Sequence, residues 1–376
     1  MKLGKIKIKH YINYAVIGIM TAVLAAIVLT GGRLDNSTVF LMEKMAISII
    51  LAVSLSLVVG FLGELSLGHA GFMWVGAYIG GKVSALLVPT MGNDIGAFLI
   101  ALAVGGAAAA VCGIIIGIPA LRLRGDYLAI VTLAFGEIVK SLFQNSSHES
   151  FGGSLGLSTP RYDKQYLFII GFVLVLVTLF VVQNLMRSKH GRAITAIRDN
   201  EIAARATGTN VTKYKLLAFT LSAMFAGIAG VLYSYSNYTV QSMKFGYNYS
   251  IEILVMVVLG GMGNINGSII AAALITFLNT KLATVLTGDL AVLQNLLYAL
   301  ILIVIVIYNN APALKGIRDK YSLSAFIEKH KKVHDPANVK DDKAKWDVVP
   351  TKISMDEILS VDLVPQDIIY QDGGDK

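Results

Sequence analysis

Ile95-Gly-Ala-Phe-Leu-Ile-Ala-Leu-Ala-Val-Gly-Gly-Ala-Ala-Ala-Ala-Val-Cys-Gly-Ile-Ile-Ile-Gly-Ile118 is an unbroken run without Asp, Glu, Lys or Arg. The hydrocarbon core of a bilayer is about 30 Å thick, so a helix needs about 20 apolar residues to cross it. The run is long enough, and it predicts a membrane-spanning helix.

Further apolar stretches on both sides reach or approach the same length. They are residues 11–30, 38–62, 66–88, 127–143, 166–186, 214–236, 250–263, 266–284 and 291–309. The chain is 55% hydrophobic and 15% charged, whereas a soluble domain carries about 25% charged residues. The pattern predicts an all-α polytopic membrane protein with about ten spans. The number is eight to ten, because the segments on either side of 63–66, and those on either side of 263–266, can each be one bent or discontinuous helix.

The Lys and Arg residues between the spans predict the orientation. Thirteen lie in segments that would be cytoplasmic if the N-terminus is inside, and four lie in the opposite loops. The positive-inside rule therefore favours an N-in, C-in topology. Residues 11–30 are interpreted as a retained first span. The net charge of +8 does not indicate a nucleic-acid partner, because the basic residues fall between apolar runs.

The composition changes near residue 311. The last 66 residues hold 11 of the 32 Lys and Arg and 12 of the 24 Asp and Glu. We expect two parts: a membrane domain over 1–310, and a polar, partly disordered cytoplasmic tail over 311–376.

The motifs of enzymes are missing. Gly76-Ala-Tyr-Ile-Gly-Gly-Lys82 matches the spacing of a phosphate-binding loop, but Val83 stands where Ser or Thr would hold Mg²⁺, and the match lies within a predicted span. The six His are scattered without metal-ligand spacing. We expect no catalytic residues, metal site or cofactor on this chain. Any nucleotide hydrolysis would occur on another chain.

The basic loop over 187–213 carries a candidate surface helix. Asp199 or Asn200 can cap it, and Glu201 lies near its positive end. Gly208 can end it in the left-handed conformation. Such a helix on the cytoplasmic side would suit a peripheral motor that pushes on it, and the alternative interpretation is a solvated amphipathic loop.

Four stretches together resemble the LivM-type permease of branched-chain amino-acid ABC transporters. They are Gly63-Glu-Leu-Ser-Leu-Gly-His-Ala-Gly-Phe72, Leu121 to Lys140, Gly191 to Leu221, and Val258-Leu-Gly-Gly-Met-Gly-Asn264. They occur in the family's order over roughly residues 40–300. The resemblance implies a permease domain that works with a second related permease, two ATP-binding-cassette subunits that bind ATP and Mg²⁺, and an extracytoplasmic solute-binding protein. It also implies the cytoplasmic membrane of a prokaryote.

The loop after Gly191 resembles the coupling motif E-A-A-x-x-x-G of such importers, which docks on the ATP-binding cassette. The coupling residues that the resemblance implies are Glu201, Ala203, Ala204, Arg205 and Gly208. This chain departs from the pattern in two ways: Ile202 is inserted after Glu201, and Glu64 stands where the family usually has Gln. The implied solutes are leucine, isoleucine and valine, with urea or a short amide as the alternative.

The candidates for the solute path are Ser66, His69, Glu137, Gly261, Gly263 and Asn264. The glycines and Asn264 suggest a helix broken at membrane depth, as at many solute pathways. His69 can instead be a helix-packing residue among small neighbours, and Glu137 can instead form a structural pair with Lys140, three residues away. Two alternatives from other classes are a secondary transporter with Glu137, Lys140 and His69 as an ion relay, and a receptor or scaffold that signals through its tail.

Overall fold

The structure is a computed structural model, and it describes residues 17–18, 21–22, 26, 35–91, 94–123, 125–160, 164–241, 246–285, 296–297, 299–300, 303 and 307. The α-helices of the described residues whose bounds are defined are α1 (Asn36–Ser56), α2 (His69–Met91), α3 (Asp94–Ala120), α4 (Asp126–Gln144), α5 (His148–Phe151), α6 (Lys164–Arg187), α7 (Lys189–Asp199), α8 (Glu201–Ala206), α9 (Val211–Asn237), α10 (Tyr247–Gly260) and α11 (Ile265–Val285). A π-helical segment, Leu57–Leu62, extends α1, and a 3₁₀ turn covers Gly153–Leu155. The strands Leu157–Ser158 and Thr239–Val240 pair antiparallel over two residues each.

The expected all-helical architecture is confirmed. Among the described residues, six helices are long and apolar enough to cross a membrane: Asn36–Leu62, His69–Thr90, Ile95–Ala120, Tyr166–Arg187, Val211–Asn237 and Ile265–Val285. The predicted segments 127–143 and 250–263 lie on α4 and on the shorter apolar helix α10. The predicted spans 11–30 and 291–309 lie largely outside the described residues, and the tail 311–376 lies wholly outside them.

The helices α2, α3 and α9 pack tightly against one another through small residues. A Cβ atom on Gly76 of α2 would overlap the backbone of Gly227 in α9, and one on Gly105 of α3 would crowd Gly76 in turn. Without these side chains the helix axes can approach closely, which is how helices associate in lipid. Gly76 also begins the phosphate-loop look-alike, which here lies inside α2.

The centre of the bundle is α1. Its most apolar window is 89% buried, against 33% for α3 and 28% for α11. Large apolar side chains such as Leu99, Ile115 and Phe277 are exposed on those two outer helices. Such surfaces suit lipid or another apolar helix as neighbour.

Two helix breaks were expected, and both are present. The first follows the π-helical end of α1, where Gly63 takes a left-handed conformation with φ of 78°, and α2 begins at His69. The second separates α10 from α11, with Gly261 and Gly263 at φ of 89° and 80°. These positive angles favour glycine over other residues.

Candidate functional site

The loop after α6 folds into two short helices with clear capping. Ser188 Oγ accepts hydrogen bonds from the backbone N–H groups of His190 and Gly191 at 3.1 and 3.4 Å, which starts α7. Of the two cap candidates for α8, the structure shows Asn200 in that role: its Oδ1 accepts from Ala203 N at 3.0 Å. Gly208 follows with φ of 82° and reverses the chain toward α9.

The exposed surface of α8 combines an apolar residue, a small residue and a charged residue. Ile202 is 75% exposed; Ala203 and Arg205 are exposed as well, whereas Ala204 is buried. The residue inserted into the family motif therefore lies on the accessible face.

A buried lysine ties α8 to the rest of the bundle. Lys215 lies near the start of α9, and its side chain is 4% exposed. Its Nζ lies 3.2 Å from Glu201 Oε2 and 2.5 Å from Glu64 Oε1. Glu201 also pairs through Oε1 with Arg205 Nη2 at 2.9 Å. The charges of α8, α9 and the segment after α1 thus form one connected network, in which each buried charge is compensated.

A second link runs from α7 to the end of α1. Arg198 Nη1 donates to the backbone oxygen of Gly60 at 3.1 Å, while its Nε and Nη2 bond Asp199 Oδ1 at 3.1 and 3.0 Å. The last carbonyl groups of a helix lack intrahelical donors and carry partial negative charge. The Arg198 guanidinium group supplies both a hydrogen-bond donor and a positive charge at this helix end.

The two helix breaks meet at this same point. A Cβ atom on Gly60 would lie 2.5 Å from the backbone nitrogen of Gly263, so the chains touch without side chains between them. Asn264 Oδ1 accepts from Gly267 N at 3.2 Å and caps the start of α11. Of the path candidates, Gly263 therefore lies beside the Arg198 link, and Gly261 and Asn264 flank it along the chain.

Comparison with known proteins shows the family of the chain. Residues 37–307 match the family model described as branched-chain amino acid transport system, permease component. The chain belongs to this permease family.

The permease is 37% identical over 289 residues to the high-affinity branched-chain amino acid transport system permease protein LivM of Salmonella typhimurium, covering 68% of this chain and 65% of the relative. It is 38% identical over 288 residues to the protein of the same name from Escherichia coli K12, covering 68% and 66%. The aligned part thus spans just under two thirds of either relative. The ribose import permease protein RbsC of Escherichia coli K12 is 27% identical over 290 residues, covering 73% of this chain and 86% of RbsC. No solved structure gives a significant match.

His69 of the permease is buried in helix packing. It is 2% exposed, and its Nε2 lies 2.8 Å from Ser54 Oγ in α1. Ser222 Oγ of α9 donates to the backbone oxygen of Ser54 at 2.7 Å. Ser66 is also buried. These contacts join α1, α2 and α9, and they agree with the packing interpretation of His69.

Glu137 of the permease lies near the opposite end of α10 from Gly261. Its Oε1 accepts from Tyr247 N, in the first turn of α10, at 3.1 Å. Its Oε2 pairs with Lys140 Nζ at 3.1 Å, as the spacing predicted. A carboxylate at a helix N-terminus satisfies a backbone donor and complements the helix dipole. The structure thus gives Glu137 a role in holding α10.

The sequence did not single out Arg198 or Lys215 as site residues of the permease, although both were counted among the thirteen basic residues that predict the orientation. A lysine within an otherwise apolar helix is a usable signal, because it must find a partner there. The identity of that partner is not visible in the sequence: Glu64 lies 151 residues away along the chain.

Proposed function

We propose that this chain is a membrane-spanning permease subunit of an ATP-binding-cassette importer that carries branched-chain amino acids into the cell. Its membership of the permease family supports the class. The two LivM relatives, which are named as branched-chain amino acid permeases, support the solute. The observation that carries the proposal is the double attachment of the α7–α8 pair, through Lys215 and through Arg198, to the segment at which the helix breaks meet.

In this proposal α8 is the surface on which an ATP-binding cassette docks. Movement of α8 pulls on Glu64 through Lys215, and movement of α7 pulls on Gly60 through Arg198. Both attachments lie at the first break, which contacts Gly263 of the second break. ATP-driven closure of the cassettes would therefore change the relative position of the two breaks. Breaks of this kind at membrane depth are common where a solute path opens.

The orientation and assembly belong to the same proposal. The chain has eight to ten spans with both ends in the cytoplasm, which places α7 and α8 inside. It works with a second related permease, two cassette subunits that supply ATP and Mg²⁺, and an extracytoplasmic solute-binding protein. The membrane is the cytoplasmic membrane of a prokaryote. Urea or a short amide is the alternative solute.

The relay alternative finds less support. Glu137 and Lys140 are engaged at the start of α10, and His69 is engaged with Ser54. A chain of proton carriers needs groups that follow one another across the membrane. These contacts instead fix helices in place.

The test is uptake of tritiated L-leucine into proteoliposomes that contain the complex purified from its native membrane. The proposal predicts uptake that requires ATP and the binding protein and persists when the proton gradient is collapsed. Replacement of Gly208 by a bulky residue such as Leu should abolish uptake, because α8 can no longer end in the left-handed turn. Uptake that follows the proton gradient and ignores ATP would overturn the proposal.

A further inference from the structure

A cavity lies at the other end of α1 from the coupling contacts. It is bounded by α1, α9, α10 and α11 and measures about 460 Å³. The residues of α1 that line it fall between Ser37 and Ser48, whereas Gly60 and its contacts lie at the far end of that helix. Its volume is within the range of cavities that bind small molecules.

The cavity contains one charge of each sign. Lys44 of α1 and Glu252 of α10 both line it. Asn279 Nδ2 of α11 donates to Glu252 Oε1 at 3.1 Å, which fixes the carboxylate in the wall. Ionisable residues within membrane-spanning segments are costly, and they usually mark a solute or ion site.

The cavity is also lined by a threonine whose hydroxyl group has no hydrogen-bond partner among the described residues. Thr276 of α11 is 6% exposed and lines the cavity. Its hydroxyl oxygen has no hydrogen-bond partner among the described residues. Buried hydroxyl groups are nearly always bonded, because leaving one without a partner is destabilising. A bound molecule with a polar group near Thr276 would remove that deficit.

The rest of the wall is partly apolar. Phe40, Ile47 and Ala283 contribute to it, and the Phe40 ring lies 4.5 Å from Lys44 Nζ. The cavity thus combines a cation, an anion and an apolar surface. A ligand with a net charge would be repelled by one of the two charged side chains, whereas a zwitterion can pair with both.

We propose that this cavity is a binding site for a zwitterionic amino acid with an apolar side chain. Lys44 binds the α-carboxylate and Glu252 binds the α-ammonium group. Thr276 donates to the carboxylate, and the apolar wall receives the side chain. The proposal rests on the proposed transport function, since in the N-in orientation the cavity is at the outer side, where a binding protein would release its solute.

The test is equilibrium binding of tritiated L-leucine to the complex in nanodiscs, without the soluble binding protein. Lys44→Met and Glu252→Gln should each weaken binding at least about 10-fold, and Thr276→Val about 5-fold. Glu252→Asp keeps the charge and should stay within about 3-fold, which separates loss of the site from misfolding.

Matched controls are available on the same helices. Lys281→Met removes an exposed lysine of α11 that does not line the cavity. Thr220→Val removes another buried hydroxyl without a partner among the described residues, on α9 and away from the cavity. Both should bind leucine as the unaltered protein does.

Competing ligands test the charge pairing directly. In the unaltered complex, 4-methylpentanoate lacks the amine and 3-methylbutylamine lacks the carboxylate, so each should compete at least about 10-fold more weakly than leucine. In Lys44→Met the difference between leucine and 3-methylbutylamine should disappear. Equal leucine affinity in Lys44→Met, Glu252→Gln and the controls would overturn the assignment. A phospholipid that occupies the cavity and is not displaced by leucine would overturn it too.

Transport measurements separate this proposal from the proposed function. If ATP-driven leucine uptake is unchanged in Lys44→Met and Glu252→Gln, the cavity assignment fails and the importer proposal stands. If the unaltered complex shows no leucine uptake at all, the importer proposal itself fails.

Discussion

Lys215→Met tests the charge network that joins α8 to the bundle. The substitution keeps the length of the side chain and removes the ammonium group between Glu64 and Glu201, whose side chains are 14% and 23% exposed. Loss of one partner from a buried ion pair costs about 3–5 kcal/mol. Both carboxylates retain some access to water here, so we expect the lower end, about 3 kcal/mol.

A double-mutant cycle isolates the pair. Glu64→Gln keeps an oxygen acceptor for Lys215 and should cost about 1 kcal/mol, because the ion pair becomes a hydrogen bond from the ammonium group to an uncharged amide oxygen. In the Lys215→Met background the same change removes an uncompensated carboxylate. The two effects should therefore be less than additive by about 2 kcal/mol.

The assay is the free energy of unfolding in mixed micelles, together with the ratio of leucine transported to ATP hydrolysed. Lys215→Met should lower both. Lys213→Met is the matched control, since Lys213 lies on the same turn and is exposed; it should stay within about 0.5 kcal/mol. Equal effects of the two substitutions, or strict additivity in the cycle, would refute the network.

Three further predictions follow from the site. Gly60→Ala should abolish ATP-dependent leucine uptake because its Cβ would lie 2.5 Å from Gly263 N; Gly136→Ala, whose Cβ would meet nothing nearer than 3.9 Å, should transport normally. Asn200→Ala should destabilise α8 by about 1 kcal/mol, seen as faster amide exchange confined to that helix, whereas slow exchange there would count against the cap. Glu137→Gln keeps an oxygen acceptor for the start of α10, so uptake should remain ATP-dependent with an unchanged pH profile. If uptake by the variant instead loses a dependence on the proton gradient, the ion-relay alternative is supported.

The spans and the local capping were readable from the sequence. A chain that crosses lipid must do so as long apolar helices, so the uncharged run Ile95–Ile118 predicts a membrane-spanning helix directly. Caps also depend on near neighbours, which is why the sequence narrowed the N-cap of α8 to Asp199 or Asn200 and indicated Gly208 at its C-terminal end. The pair of Glu137 and Lys140 follows from a three-residue spacing and was predicted for the same reason.

The contacts that join distant segments were not readable. Arg198 binds a backbone oxygen 138 residues away, and a backbone acceptor has no side-chain signature. The lysine at 215 could be recognised as needing a partner, but the choice of Glu64 depends on which helices are neighbours. For the same reason, Lys44 and Glu252 did not stand out until α1 and α10 were seen to share a cavity.

Site-specific photo-crosslinking from position 202 tests the central claim most directly. A photoreactive residue replaces Ile202 on the exposed face of α8, and the matched control carries it at Leu155, an equally exposed apolar residue (70%) in the segment between α5 and α6. The cross-linked partner is identified by mass spectrometry in native membranes. The account predicts an ATP-binding-cassette subunit at position 202 and none at position 155. A cassette cross-link at position 155, or its absence at position 202 in a complex that contains the cassettes, would contradict the account.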